Sequence, residues 1–177
     1  MIYRFRVILD TKEDIFRDIE IRQDATLEDF HNSIVQSFGF DGMEVASFFT
    51  SDEEWRQDEE IALFDMGEAE DPRRTMSATL IEDVVTEAQP RLIYVYDFLN
   101  LWTFFIELGD IAEPEEGRMY PNLMYVHGQI PAQAPPADFS GDEDDLESEE
   151  EPDEGLEFDD DYDVEDYEGL DFDENWN

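Results

Sequence analysis

The sequence predicts an α+β domain followed by an acidic tail. Residues 91–108 hold two apolar runs on either side of Leu99-Asn100, a pattern typical of a central β-hairpin. Both faces of this hairpin are largely apolar, so we expect it inside the sheet with both sides covered. An N-terminal order of strand, strand and helix completes the α+β pattern. The length of 177 residues suits one domain over residues 1–141 and an appendage over residues 142–177.

The N-terminal elements have the clearest local patterns. Apolar and polar residues alternate over residues 2–9 and again over residues 15–21, which predicts a β-hairpin. Thr26 and Asp29 approximate a capping box, and apolar residues follow helical spacing from Leu27 to Phe38. Because Gly39 is a typical helix stop, we expect the helix to end there.

The remaining elements are predicted from shorter patterns. Residues 45–50 indicate a third strand and residues 61–64 a short edge strand. Residues 77–87 indicate a second helix, ended by Pro90. Residues 120–137 are interrupted by prolines, so we expect an irregular segment over the surface of the domain.

Charge is strongly negative and unevenly placed. The chain has 10 basic and 51 acidic residues, a formal net charge of −41, and 21 of the acidic residues with no Lys or Arg lie in residues 142–177. Such a field repels nucleic acid and anionic membranes, so we expect no direct nucleic-acid binding and favour a basic protein partner. The only concentrated positive charge is on the N-terminal hairpin, from Arg4, Arg6, Arg17 and Arg22.

Several function classes lack their sequence signatures. The chain has no cysteine, which excludes disulfides and thiol catalysis, and it has no glycine-rich phosphate loop. The N-terminus is typical of a strand and not of a signal peptide, and the longest apolar run is shorter than the roughly 20 residues of a membrane span. We therefore expect a cytoplasmic protein without a membrane segment.

A possible polar site is formed by His31, Tyr94, Tyr96 and Asp97. His31 lies one residue past the apolar face of the helix and is better explained as a structural histidine, because a metal site needs three or four converging donors. Asp97 lies in the most apolar stretch, where its carboxylate must be paired with Arg91 or with backbone donors; a general acid of raised pKa is the alternative. We expect no catalytic residue, no cofactor and no bound metal.

The tail combines acidic residues with aromatic ones. Phe158, Tyr162, Tyr167, Phe172 and Trp176 recur every four or five residues. A solvated spacer has no use for aromatic residues, so these five are possible anchors that bind a basic partner or the arginine-bearing hairpin of the chain's own body. A calcium loop starting at Asp159 is rejected, because Val164 and Leu170 replace the required Gly and Glu.

The order of these elements resembles a known family. The residues that carry the resemblance are Leu27-Glu28-Asp29-Phe30-His31, Phe38-Gly39-Phe40-Asp41, Leu80-Ile81-Glu82-Asp83, Tyr94-Val95-Tyr96-Asp97-Phe98 with Trp102, Tyr120-Pro121, and Pro135-Pro136-Ala137-Asp138-Phe139-Ser140-Gly141. Over residues 1–141 they look like the plasmid ORF-three-like family, whose members are also labelled insertion-element passenger proteins of TnpR type.

The resemblance implies a mixed sheet with helices on one face, somewhat like a β-grasp domain, and brings no established activity. The family pattern has Gly, Asp and two His where this chain has Leu99, Asn100, Phe104 and Glu44. His31 and Asp97 are what remains of its polar set, which makes catalysis a poor hypothesis.

These observations lead to a noncatalytic protein-interaction module as the expected function. An enzyme or metal protein with a site around Asp97 and an acidic nucleic-acid mimic are the alternatives.

Overall fold

The computed structural model describes residues 1–67, 70 and 73–136, all within the unit Met1–Asp138. The acidic tail and its five possible aromatic anchors lie outside the described residues.

The described chain forms one seven-stranded sheet. The strands are β1 (Ile2–Leu9), β2 (Phe16–Arg22), β3 (Ala46–Ser51), β4 (Gln57–Ala62), β5 (Arg91–Tyr96), β6 (Trp102–Ala112) and β7 (Asn122–His127). Their spatial order is β4-β3-β5-β6-β1-β2-β7, and each of the six pairings is antiparallel. The central hairpin is the pair β5–β6, and it lies inside the sheet as predicted.

The single α-helix in the described part, α1 (Leu27–Phe38), packs on one face of the sheet. The predicted capping box is confirmed, since the Thr26 hydroxyl accepts from the Asp29 amide while the Asp29 carboxylate accepts from the Thr26 amide, both at 3.1 Å. Gly39 ends the helix at φ 78°. Inward rings of α1 meet rings of the sheet: Phe30 lies 4.7 Å from Phe5 between ring centroids. This layer is the hydrophobic core.

The predicted mixed sheet with helices on one face is wrong. The sheet is antiparallel throughout its strand pairings, and residues 77–87 form two short 3₁₀ turns, Met76–Ala78 and Ile81–Asp83, in place of a helix. The amides of Ile81 and Glu82 donate to the carbonyls of Ala25 and Gln23 at 2.9 and 3.0 Å. Because these donors bind a neighbouring segment, they cannot form the i to i−4 bonds of an α-helix.

Two strand predictions also need correction. Residues 120–137 were expected to be irregular, but they contain β7, which pairs with β2 from Phe16↔His127 to Glu20↔Asn122. The edge strand expected at residues 61–64 is β4, which begins four residues earlier at Gln57. In both cases the partner strand supplies the hydrogen bonds that the local sequence does not signal.

Candidate functional site

Asp97 lies at the turn of the central hairpin. Its backbone is left-handed at φ 62°, a conformation that Asp tolerates better than most residues, and its side chain is 7% exposed. The carboxylate accepts from the Asn100 side-chain amide at 2.6 Å and from the Leu99 backbone amide at 3.1 Å. The Asn100 hydrogen bond is the main cause that lowers the pKa of Asp97. Asp97 is therefore an ionised turn residue, which is the opposite of a general acid of raised pKa.

His31 and Tyr94 form a separate, buried pair. His31 Nδ1 lies 2.7 Å from the Tyr94 hydroxyl, and the two residues are 3% and 0% exposed. Burial lowers the pKa of His31 and raises that of Tyr94 well above its usual value. Both side chains stay neutral near neutral pH, and the pair joins α1 to the middle of the sheet.

Tyr96 binds the loop that follows α1. Its hydroxyl donates to Asp41 at 2.9 Å and accepts from the Gly42 amide at 3.1 Å, and its ring stacks on Phe40 with centroids 4.5 Å apart. The four residues of the predicted polar site thus have three separate sets of partners.

Five surface hollows of about 170 to 540 Å³ are lined by other residues. Within the described ranges no three His, Asp or Glu residues are grouped to hold a metal ion.

A buried carboxylate that the sequence patterns did not single out is Glu20, which is 1% exposed. It accepts from Arg4 Nε at 3.0 Å, from the Asn122 side-chain amide at 3.1 Å and from Arg118 at 3.1 Å. Burial opposes its ionisation, but the hydrogen bonds from Asn122 and Arg4 and the charge of Arg118 outweigh burial and lower its pKa. The Arg4–Glu20 contact follows from the hairpin register, whereas Arg118 and Asn122 arrive from about 100 residues away.

The arginines of the N-terminal hairpin are already engaged within the body. Arg4 and Arg6 form ion pairs with Glu20 and Asp18 across the hairpin. Arg17 is 5% exposed and donates to the backbone carbonyls of Phe16, Ser37, His127 and Gly128 at 2.9 to 3.1 Å. In the described part of the chain the other arginines also pair with carboxylates: Arg22 with Asp24, Arg56 with Asp52, Arg73 with Glu60, Arg74 with Glu59, Arg91 with Glu107 and Arg118 with Glu20.

The sheet face opposite α1 carries two ring clusters. In one, Phe16 stacks on Tyr125 and on His127 with centroids 5.9 and 5.0 Å apart, and the Arg6 guanidinium lies 4.1 Å from the Phe16 centroid. In the other, Trp55 packs 5.0 Å from Phe105, and Arg91 covers the Trp55 ring at 4.8 Å. Trp55 has φ 60°. These contacts leave partly exposed rings on the face that α1 does not cover.

The edge strand β7 exposes apolar side chains on both of its faces. Leu123, Met124, Tyr125 and Val126 are consecutive and between 43% and 53% exposed. The local sequence did not predict this strand because prolines surround it, although a short apolar run bounded by Pro121 and Gly128 is a recognisable strand signal. An edge strand of this kind presents backbone hydrogen-bonding groups and apolar side chains together.

Comparisons with known proteins place these features in context. The family model described as plasmid pRiA4b ORF-3-like protein matches residues 1–176. A crystal structure of a protein of unknown function, MM3350 from Methanosarcina mazei Go1, is similar with a TM-score of 0.62 and 20% identity, over 71% of this chain and 68% of that one. No curated protein matches the sequence. Over the described residues, no helix is long and apolar enough to cross a membrane.

Proposed function

The chain belongs to the plasmid pRiA4b ORF-3-like family, and from the surface of this member we propose that it is a noncatalytic protein-interaction module that binds a basic partner. The family resemblance carried by the Tyr94-to-Trp102 segment is thereby confirmed, while the insertion-element label stays a prediction.

The engaged arginines are the observation that carries the proposal. The nine arginines of the body all have partners inside it, eight with carboxylates and Arg17 with backbone carbonyls. With 51 acidic residues in the chain, the remaining carboxylates have few cations of their own to bind. This supports a cationic partner from outside the chain.

The same contacts argue against the body as the target of the tail. The hairpin arginines are paired with Glu20, Asp18 and Asp24, so a tail carboxylate would have to displace a carboxylate already in place. The first 141 residues also hold 30 acidic against 10 basic residues, which repels a tail with 21 acidic residues. Both facts favour a basic partner over self-docking.

Partner capture with three baits tests the proposal. We expect the full chain to retain basic proteins that elute as salt rises, because surface ion pairs are screened by salt. A bait without residues 142–177 should lose them. A third bait, with Phe158, Tyr162, Tyr167, Phe172 and Trp176 changed to Ser, keeps the charge of the tail and measures what the aromatic residues add. An unchanged partner list after the deletion would contradict the role of the tail.

A competition arm separates this proposal from nucleic-acid mimicry. If the captured protein binds duplex DNA, a mimic should displace that DNA in a salt-dependent manner. A partner that binds DNA equally well with and without this chain is bound through another surface, and mimicry then fails while the interaction proposal stands.

A further inference from the structure

β7 is an open edge in a chain that protects its other edge. Asn122–His127 contains no Asp, Glu, Lys or Arg, and four of its six residues are half-exposed and apolar. A strand edge with unpaired backbone groups is a template for a further strand. Among the residues the structure describes, β2 is the one strand that pairs with it.

The opposite edge, β4, is closed in two ways. Its sequence carries Asp58, Glu59 and Glu60, and charged side chains deter strand pairing. The chain also returns along it, since the Ala62 amide donates to the Arg74 carbonyl at 3.1 Å and Ala62 bridges Thr75. β7 has an irregular register at Met124 but neither charged side chains nor a returning segment, and this contrast favours β7 as the edge available for binding.

The segments at the two ends of β7 carry more acidic than basic residues, with Lys12 the basic residue of one segment and Arg118 that of the other. Exposed Glu13 and Asp14 precede β2 beside the His127 end, where Gly128 lies against the Asp14 carbonyl. Exposed Glu113 and Glu116 lie in the loop that leads to the Asn122 end. An occupant with apolar side chains in its middle and Lys or Arg at its ends would therefore find complementary groups along the whole strand.

Charge decides between three possible occupants. A second copy carries the same charge of −41, and the tail carries 21 acidic residues and no basic one, so both are repelled from this strand and its flanks. We propose that β7 binds an extended segment of a basic protein as an eighth strand, with apolar side chains against the Tyr125 and Phe16 rings. This inference rests on the proposed function and adds the place and the mode of binding.

Opposite charges introduced at one position test the inference. Met124 is 44% exposed on β7, and Met119 is 86% exposed outside the strands and serves as the matched control. The probe is a fluorescent nine-residue peptide with two lysines at each end and alternating threonine and valine between them, titrated into the full chain. We expect Met124→Asp to bind the peptide about tenfold more tightly than Met124→Lys, because both variants lose the same apolar side chain and differ in their charge. The same changes at Met119 should have a smaller effect.

A peptide variant tests strand addition without changing the protein. N-methylation of alternate residues removes the backbone donors along one edge of the peptide while it keeps the charge; of two peptides methylated at opposite alternate sets, the one whose methylated edge faces β7 should lose binding to the wild-type chain. Binding of both methylated peptides as tight as that of the unmethylated one would overturn the inference even if a Met124 variant failed to fold.

The two Met124 variants also show whether a second copy or the acidic tail occupies β7 in place of a basic segment. If a second copy occupies β7, sedimentation shows a dimer that both Met124→Asp and Met124→Lys dissociate. If the acidic tail occupies it, Met124→Lys protects the tail from limited proteolysis and Met124→Asp exposes it. Either result overturns the inference. Tail-dependent capture of basic partners that ignores every Met124 change would leave the proposed function intact and refute only the strand addition.

Discussion

Glu20 links its own strand, β2, to β1 through Arg4 and to a segment about 100 residues later through Arg118, in the loop before β7, and Asn122, in β7. A carboxylate so deeply buried is tolerated because these donors surround it. It is thus a link between the N-terminal hairpin and the edge strand.

Glu20→Gln should destabilise the protein by about 2 kcal/mol at neutral pH, because it weakens the hydrogen bonds that two partly exposed arginines donate to a buried carboxylate. The folded-state pKa of Glu20 is lowered, so its contribution is present above the unfolded pKa of about 4.3 and is lost as pH falls through the folded value. Urea unfolding of the two proteins should show a gap that closes in acid. Asp24→Asn, which changes the exposed pair with Arg22, is the control and should leave the unfolding midpoint nearly unchanged.

The His31–Tyr94 pair predicts a second pH dependence. Burial lowers the folded pKa of His31, so the unfolded chain binds a proton first as pH falls below about 6.5, and the free energy of unfolding decreases. His31→Gln should therefore flatten the stability profile between about pH 7.5 and pH 5. Tyr94→Phe should cost about 1–3 kcal/mol by leaving His31 without its partner, yet keep the slope. An unchanged slope in His31→Gln would contradict this account.

At the scale of elements, two glycines allow the energetic cost of backbone strain to be distinguished from that of close packing. Gly39 at the end of α1 has φ 78°, and a Cβ added there would meet nothing within 4 Å. Gly128 at the end of β7 has φ 76°, and an added Cβ would lie 2.7 Å from the Asp14 carbonyl oxygen. Both positions require a left-handed conformation, but only Gly128 has no room for a side chain.

Gly39→Ala should cost about 1 kcal/mol, the penalty of a left-handed alanine. Gly128→Ala should cost clearly more, because backbone atoms of Asp14 must move, and the amides of β7 should lose protection from hydrogen exchange. Equal midpoints in thermal unfolding of the two variants would show that β7 is not held tightly against the β1–β2 turn.

Elements set by local patterns were predictable from sequence. The N-terminal hairpin, α1 with its cap and the central hairpin each carry their periodicity and turn residues within about 20 positions. The 3₁₀ turns at residues 76–83, the full extent of β4 and the existence of β7 depend on partners elsewhere, such as Ala25 for Ile81 and β2 for β7. For the same reason, sequence could suggest His31, Tyr94, Tyr96 and Asp97 as a set but not their separate partners.

For the molecule as a whole, repulsion among acidic residues is a constant destabilising term. The first 141 residues carry 30 acidic and 10 basic residues, and the tail adds 21 acidic ones. Net charge this far from zero opposes the compact state through repulsion within the chain.

Added salt should therefore stabilise the protein. Raising NaCl from about 20 mM to about 500 mM shortens the screening length to a few ångströms, so we expect the thermal midpoint to rise. A chain without residues 142–177 should respond less, because it has lost 21 acidic residues. A midpoint that falls with NaCl would mean that the internal ion pairs outweigh the repulsion. KCl in place of NaCl controls for ion identity.

Among the described strands, β7 is the last to leave the ribosome, and it joins the edge of the sheet beside β2, one of the first. Once the chain up to Ala112 is available, β1 to β6 can form a six-stranded sheet. The outer edge of β2 then has no strand partner until β7 follows. At this stage the nascent chain presents the edge of β2 as a temporary binding site, which the finished molecule covers with β7.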